Sequence, residues 1–214
     1  MRLFTRSIAA LSCLTLLLSG CGIPISTMHG PVPVPANISS ATVGFAPVFL
    51  DDAVDEDFLM FSLIFGAFAG VRESVSERVE LGGSIGIFNG ITAEVKYNLI
   101  PGPLYVSANL AASTGIVPDV DIWGSSDEDV AVSLGLHPAL LVGTERVYGG
   151  GKLIAFPFNT NVQRPWTVLF AGGSFGGRTR IVPEIAWMRD PADGETSWVA
   201  GIGLQRQINA RVLR

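Results

Sequence analysis

Cysteine is almost missing from this 214-residue chain. Cys13 and Cys21 are the two, so past residue 21 there is no pair for a disulfide and no thiol for a metal site. Charge is scarce too: Asp, Glu, Lys and Arg make up 15% of the residues, where a soluble domain carries about 25%. Lys and Arg number 14 against 19 Asp and Glu, with no concentrated basic face, which argues against a nucleic-acid partner. Histidine occurs only at positions 29 and 137. Long helical patterns are absent, because Gly or Pro interrupts most candidates. Beyond the N-terminus there is no apolar run of the length that a spanning helix needs. The densest stretch, residues 58–71, is broken by Ser62, Gly66 and Gly70. Mean hydropathy is nevertheless +0.43. A chain this apolar without a spanning helix fits a transmembrane β-barrel, whose strands alternate lipid-facing and lumen-facing residues.

What is present begins at the N-terminus. Arg2 and Arg6 precede an apolar run over residues 8–18 that ends in Leu18-Ser19-Gly20-Cys21. A charged start, a short apolar stretch and small residues before a cut describe a secretory signal, too short to remain as a spanning helix. Residues 18–21 resemble the lipobox of bacterial lipoproteins. The resemblance implies that residues 1–20 are a signal peptide that is removed and that Cys21 becomes the mature N-terminus, carrying diacylglycerol. Loss of Arg2 and Arg6 leaves 12 basic residues against 19 acidic ones, a formal net charge of −7. Residues 21–38 read as the lipidated N-terminus and an extended tether, since Pro31, Pro33 and Pro35 lack amide donors and fix φ. Residues 39–206 are the expected barrel, and 207–214 a polar C-terminal tail.

The clearest strand is residues 91–99. Ile91, Ala93, Val95, Tyr97 and Leu99 fall on one face, and Thr92, Glu94, Lys96 and Asn98 on the other. Residues 78–87 and 104–113 repeat this period of two. Further strands are expected over residues 39–50, 58–71, 130–142, 145–156, 166–176, 181–189 and 196–205. That makes about ten, in an antiparallel up-and-down β-barrel. Alternate connections are tight (72–77, 100–103, 143–144 and 177–180) and are expected on the periplasmic side. The others (51–57, 89–90, 115–129, 157–165 and 190–195) are expected outside; three of them exceed every tight connection, and the Asn89-Gly90 hairpin is the short exception. Trp166, Trp187 and Trp198 are expected at the outer ends of their strands in phase with the apolar face. Phe49 and Phe61 share that level and Tyr97 lies near the other end, as in membrane-barrel girdles.

The polar phase carries Arg78, Glu80, Glu94, Lys96, Lys152 and Glu184, with both signs represented. Buried charges need partners, so these six are expected to form a lumen network: either a narrow polar passage or a plug of mutually satisfied ion pairs. His137 lies in the same phase, one and two pleats from Gly135 and Ser133. A Ser/His couple in a barrel resembles that of the outer-membrane lipid deacylases, which this chain resembles in architecture. Residues four apart on a strand stand about 13 Å apart, however, so a serine for His137 would have to come from a neighbouring strand. The acidic clusters at 51–57 and 119–129 lack calcium-loop spacing. On the outer face they would be placed to bind the divalent ions that bridge lipopolysaccharide.

The expectation is therefore an all-β protein of the bacterial outer membrane, anchored through Cys21 and similar to outer-membrane barrel lipoproteins. Its partners are membrane lipid and the bilayer, with no cofactor, metal or catalytic site. Its role would be structural, interaction or narrow passage. The alternatives are a soluble, lipid-tethered carrier of an apolar ligand like the lipocalins, in which the phases reverse, and a lipid-modifying enzyme. A final-strand aromatic residue, common in assembled outer-membrane barrels, is missing at residues 203–206.

Overall fold

The computed structural model describes residues 30, 32–35, 38–45, 48–49, 67–86, 90–117, 131–157, 164–189, 194 and 196–209. Cys21, the lipobox, both acidic clusters, Phe61, His29 and the end of the polar tail lie outside them. Twelve strand segments form one sheet: β1 (Ile38–Phe45), β2 (Val48–Phe49), β3 (Ala67–Ser74), β4 (Val79–Gly86), β5 (Gly90–Ile100), β6 (Tyr105–Val117), β7 (Ala131–Gly143), β8 (Val147–Ile154), β9 (Trp166–Gly173), β10 (Phe175–Gly176), β11 (Thr179–Arg189) and β12 (Thr196–Asn209).

β2 continues β1 against β12 in the same register, from Phe45↔Ile202 to Val48↔Val199. β10 likewise continues β9 against β11. The segments therefore make ten walls, each antiparallel to its chain neighbour, and β1 pairs with β12 to close the barrel. Closure removes every unpaired sheet edge. Strands of up to 14 residues exceed the roughly 9–11 that a tilted strand needs to cross a bilayer.

Four connections at one end are tight: residues 75–78, 101–104, 144–146 and 177–178. Their chemistry is local. Thr144 Oγ1 accepts from the amides of Arg146 and Val147 at 3.2 and 3.3 Å, and Ser76 Oγ accepts from Val79 N at 3.1 Å, a hydroxyl substituting for a backbone acceptor. At the opposite end the β4–β5 hairpin differs by one residue from the expected Asn89-Gly90 turn. Gly90 already pairs with Gly86, so the connection is residues 87–89. Gly90 has φ of 57°, and a Cβ there would lie 1.8 Å from Thr114 O. Only glycine fits that position.

The direction of the apolar phase is the main result. On β5, Ile91, Val95, Tyr97 and Leu99 are 42–49% exposed, while Thr92, Lys96 and Asn98 are at most 7% exposed. Leu110, Leu140, Leu169, Ile185 and Leu204 also face outward, and Asn109, Ser107 and Glu184 are buried. The apolar phase points out and the polar phase in. The interior nevertheless has two kinds of wall. From the end of β7 round to β12, the inner face carries Leu141, Tyr148, Ile154, Val168, Phe170, Val182, Ala186, Met188 and Val199 in one hydrophobic cluster, interrupted by buried Lys152 and Glu184. Apart from Lys152 and Glu184 the inner face here is as apolar as the outer one, which is why the alternation is weak in the sequence. Trp166 corrects the expected girdle, because it shares the inward phase of Val168 and packs on that cluster. Trp187 and Trp198 stand opposite one another in the β11–β12 ladder, in the outward phase and toward the long-loop end. The register continues to Phe49.

Candidate functional site

The lumen charges are assembled by the β3–β4–β5 register. Glu80 and Lys96 are direct cross-strand partners, and Lys96 Nζ lies 3.0 Å from Glu80 Oε1, with side chains 4% and 1% exposed. One step further in, the register aligns Arg72, Gly82 and Glu94 across three strands. Arg72 Nε reaches Glu94 Oε1 at 2.5 Å over the middle strand. It can do so because residue 82 is glycine: a Cβ there would lie 2.5 Å from Glu94 Oε1 and 2.9 Å from Arg72 Cγ. Arg72 Nε is also 3.7 Å from Glu80 Oε1, and Asn109 Nδ2 donates to Glu94 Oε2 at 3.1 Å. On the opposite wall the Tyr148 hydroxyl donates to Glu184 Oε2 at 2.9 Å. Lys152 is buried and interacts electrostatically with Glu184, Glu94 and Arg72.

Of the six residues expected in the network, Glu80, Glu94, Lys96, Lys152 and Glu184 lie inside. Arg78 does not, and this is a correction: it sits exposed in the tight turn before β4. The strand starts one residue later than expected, so Arg78 is free to stay in water. Its place is taken by Arg72, which sequence reading put at the start of a turn. The available signal was the inward phase shared by Phe68, Gly70, Arg72 and Ser74, which becomes visible once the strand is extended to Ser74. Among the described residues, three cations and three anions therefore share the lumen.

The segment before β1 also enters the site. Val34 N donates to Glu80 Oε2 at 2.8 Å. Lys96 Nζ donates to the carbonyls of Gly30 and Val32, each at 3.3 Å. Gly30 lies beside Tyr148 and Thr144, so the segment crosses the tight-turn mouth from the β8 wall to β4 and β5. Nothing in residue type predicted this docking, since every contact to the lumen charges is made by main-chain atoms.

His137 is 1% exposed, and its Nε2 lies 2.6 Å from Ser113 Oγ. The serine does come from another strand, β6, where Ser113 pairs with Gly135. Among the described residues His137 Nδ1 has no hydrogen-bond partner, so no carboxylate orients the imidazole as in a triad. The β6–β7 register runs unbroken from Tyr105↔Gly143 to Val117↔Ala131. Backbone amides at the level of Ser113 are therefore committed to the ladder and leave no free pair for an oxyanion. The arrangement is a hydrogen-bonded polar pair packed edge-on against Phe156, with ring centroids 6.5 Å apart. Among the described residues no group of three or more His, Cys, Asp and Glu is placed to hold a metal ion.

A scan against protein-family models and a search of curated proteins each found no match. Solved structures similar in outline include the N-terminal β-barrel domain of Pseudomonas aeruginosa OprF, at 13% identity, 81% coverage of this chain, 98% of that chain and a TM-score of 0.32. Ail, the attachment invasion locus protein of Yersinia pestis, is similar at 13% identity, 81% and 100% coverage and a TM-score of 0.31. The outer membrane protein opdK from Pseudomonas aeruginosa gives 12% identity, 66% and 57% coverage and a TM-score of 0.29. Scores this low carry no argument, and the barrel rests on the strand pairing described above.

Proposed function

We propose that this protein is an integral outer-membrane β-barrel, additionally anchored by acyl chains on Cys21, whose role is structural or in interaction rather than catalytic. The observation that carries the reading is the outward apolar phase. Side chains such as Val95, Leu110, Leu169 and Ile202 are 46–55% exposed around the closed wall. In water that surface would be far larger than the few hundred Å² of apolar patch that a monomer tolerates; in a bilayer it is the required solvent contact. The same phase counts against a soluble carrier, whose greasy face would turn inward. The lumen favours the plug over the passage, because charges of both signs are paired, one wall is packed with apolar side chains, and the tight-turn mouth is crossed by chain.

The test separates barrel from anchor. The mature sequence carrying Cys21→Ser is exported behind an ordinary secretory signal, so that no acyl chain is attached. Membranes are then extracted with carbonate, and the protein is run on gels with and without heating. Retention in the membrane and a heat-shifted band are expected. Complete release of a folded protein into the carbonate supernatant would refute an integral barrel.

A further inference from the structure

We propose that the tight-turn mouth of the barrel is a built binding site for an extended peptide backbone, and that its occupant is the chain's own segment around residues 30–35, acting as a stopper. The inference goes beyond the membrane reading and does not depend on lipid at Cys21. Its basis is which atoms are held. Glu80 accepts from Val34 N, while Lys96 donates to Gly30 O and Val32 O. All three segment atoms belong to the main chain. Carbonyls two residues apart face the same side of an extended chain, so one ammonium serves both. The two side chains that grip the segment are 1% and 3% exposed and paired with each other, so the bonds they make are charge-assisted and shielded.

The sequence of the segment suits a stopper and not an eleventh strand. Pro31, Pro33 and Pro35 alternate with donor-bearing residues, and prolines cannot supply the amide row that a sheet ladder needs. The segment can therefore present Val34 N–H to Glu80 without being drawn into the wall. Seated there, it covers the Glu80–Lys96 pair from the aqueous side of that mouth. Recognition through main-chain atoms makes the seat tolerant of side-chain change and intolerant of losing one amide hydrogen.

The experiment uses a reporter cysteine at position 32, Val32→Cys, in the full chain folded in membranes, with the parent chain as the labelling blank. The reference is Gly102→Cys, in a tight turn at the same end where an added Cβ meets nothing within 4 Å. Reaction with a water-soluble maleimide should be at least about tenfold slower at position 32 than at 102. Adding Val34→Pro deletes the amide hydrogen held by Glu80 and should speed labelling at position 32 by about tenfold, the loss of one charge-assisted bond. Adding Val34→Ala keeps the amide and should leave labelling slow. Equal rates at positions 32 and 102 in the otherwise unaltered barrel would overturn the proposal, as would equal effects of Val34→Pro and Val34→Ala. The first comparison alters no residue that grips the segment, so it decides even if the proline variant disturbs folding.

Discussion

Replacing Lys96 with alanine removes the cation at the tight-turn mouth of the lumen, and the structure sets the size of the loss. Lys96 is 3% exposed. It holds Glu80 at 3.0 Å and two carbonyls of the N-terminal segment at 3.3 Å. Breaking a buried ion pair by removing one partner costs about 3–5 kcal/mol, mostly through the charge left behind. Here Glu80 keeps the Val34 amide at 2.8 Å and the Arg72 guanidinium at 3.7 Å. Those residual partners argue for the lower part of the range, about 3–4 kcal/mol, which is at least a hundredfold in the folded-to-unfolded ratio. The assay is a urea titration of the barrel refolded in lipid vesicles, followed by tryptophan fluorescence and by the folded band on unheated gels. Lys96→Met combined with Glu80→Gln should recover much of the loss, since removing both charges leaves neither stranded. A loss below about 0.5 kcal/mol for Lys96→Ala would mean that Lys96 behaves as a surface residue, and the inward polar phase would be wrong.

Four further tests address the outer wall, the glycine gap, the anchor and the topology. Val95→Lys places a charge on the outward face at a residue 46% exposed, and in a bilayer it should cost about 2–4 kcal/mol by the same titration; a neutral result would remove lipid from that face. Gly82→Ala puts a Cβ against Glu94 Oε1 and Arg72 Cγ and should cost about 1–3 kcal/mol by overpacking, whereas the same change at Gly102 should cost nothing measurable. Cys21→Ser should abolish acyl labelling and leave unprocessed precursor, and normal maturation near residue 21 would end the lipoprotein assignment. With Cys13 removed, Ser125→Cys should react with an impermeant reagent on intact cells and Gly102→Cys should not; the reverse pattern would invert the barrel.

The ten walls were legible because period two survives wherever one face meets apolar surroundings and the other meets charge, as on β5. Where both faces are apolar, as on β9 with Val168 and Phe170 inside and Leu169 outside, the strand could still be placed by its turns, but the facing of Trp166 could not. The direction of the phase was not written in any strand. It emerges only on closure, when Glu80 and Lys96 end up enclosed and Ile91 and Val95 do not. Arg78 and Arg72 show how strand boundaries decide which arginine is buried: both have the inward parity, but β4 begins only after Arg78, whereas β3 runs past Arg72 to Ser74. Ser113 was invisible as the partner of His137 because β6 and β7 join through a long connection, and only a tight turn fixes register from sequence.

The two-sided interior bears on what kind of barrel this is. A selective passage needs a continuous wet path and an excess of one charge along it. The described lumen instead sets Arg72, Lys96 and Lys152 against Glu80, Glu94 and Glu184, so the charges largely cancel where they meet. Around Lys152 and Glu184, the facing wall from Leu141 to Val199 is packed as a hydrophobic core. Such an interior stabilises the barrel by apolar contact, as in a soluble domain, while its shielded ion pairs constrain it, since losing either partner strands the other at high cost. Gly82 belongs to the same economy of space, since the Arg72–Glu94 pair can cross β4 only where no side chain intervenes. In the outward phase, Trp187 and Trp198 stand toward the long-loop end of the wall and Tyr97 toward the tight-turn end.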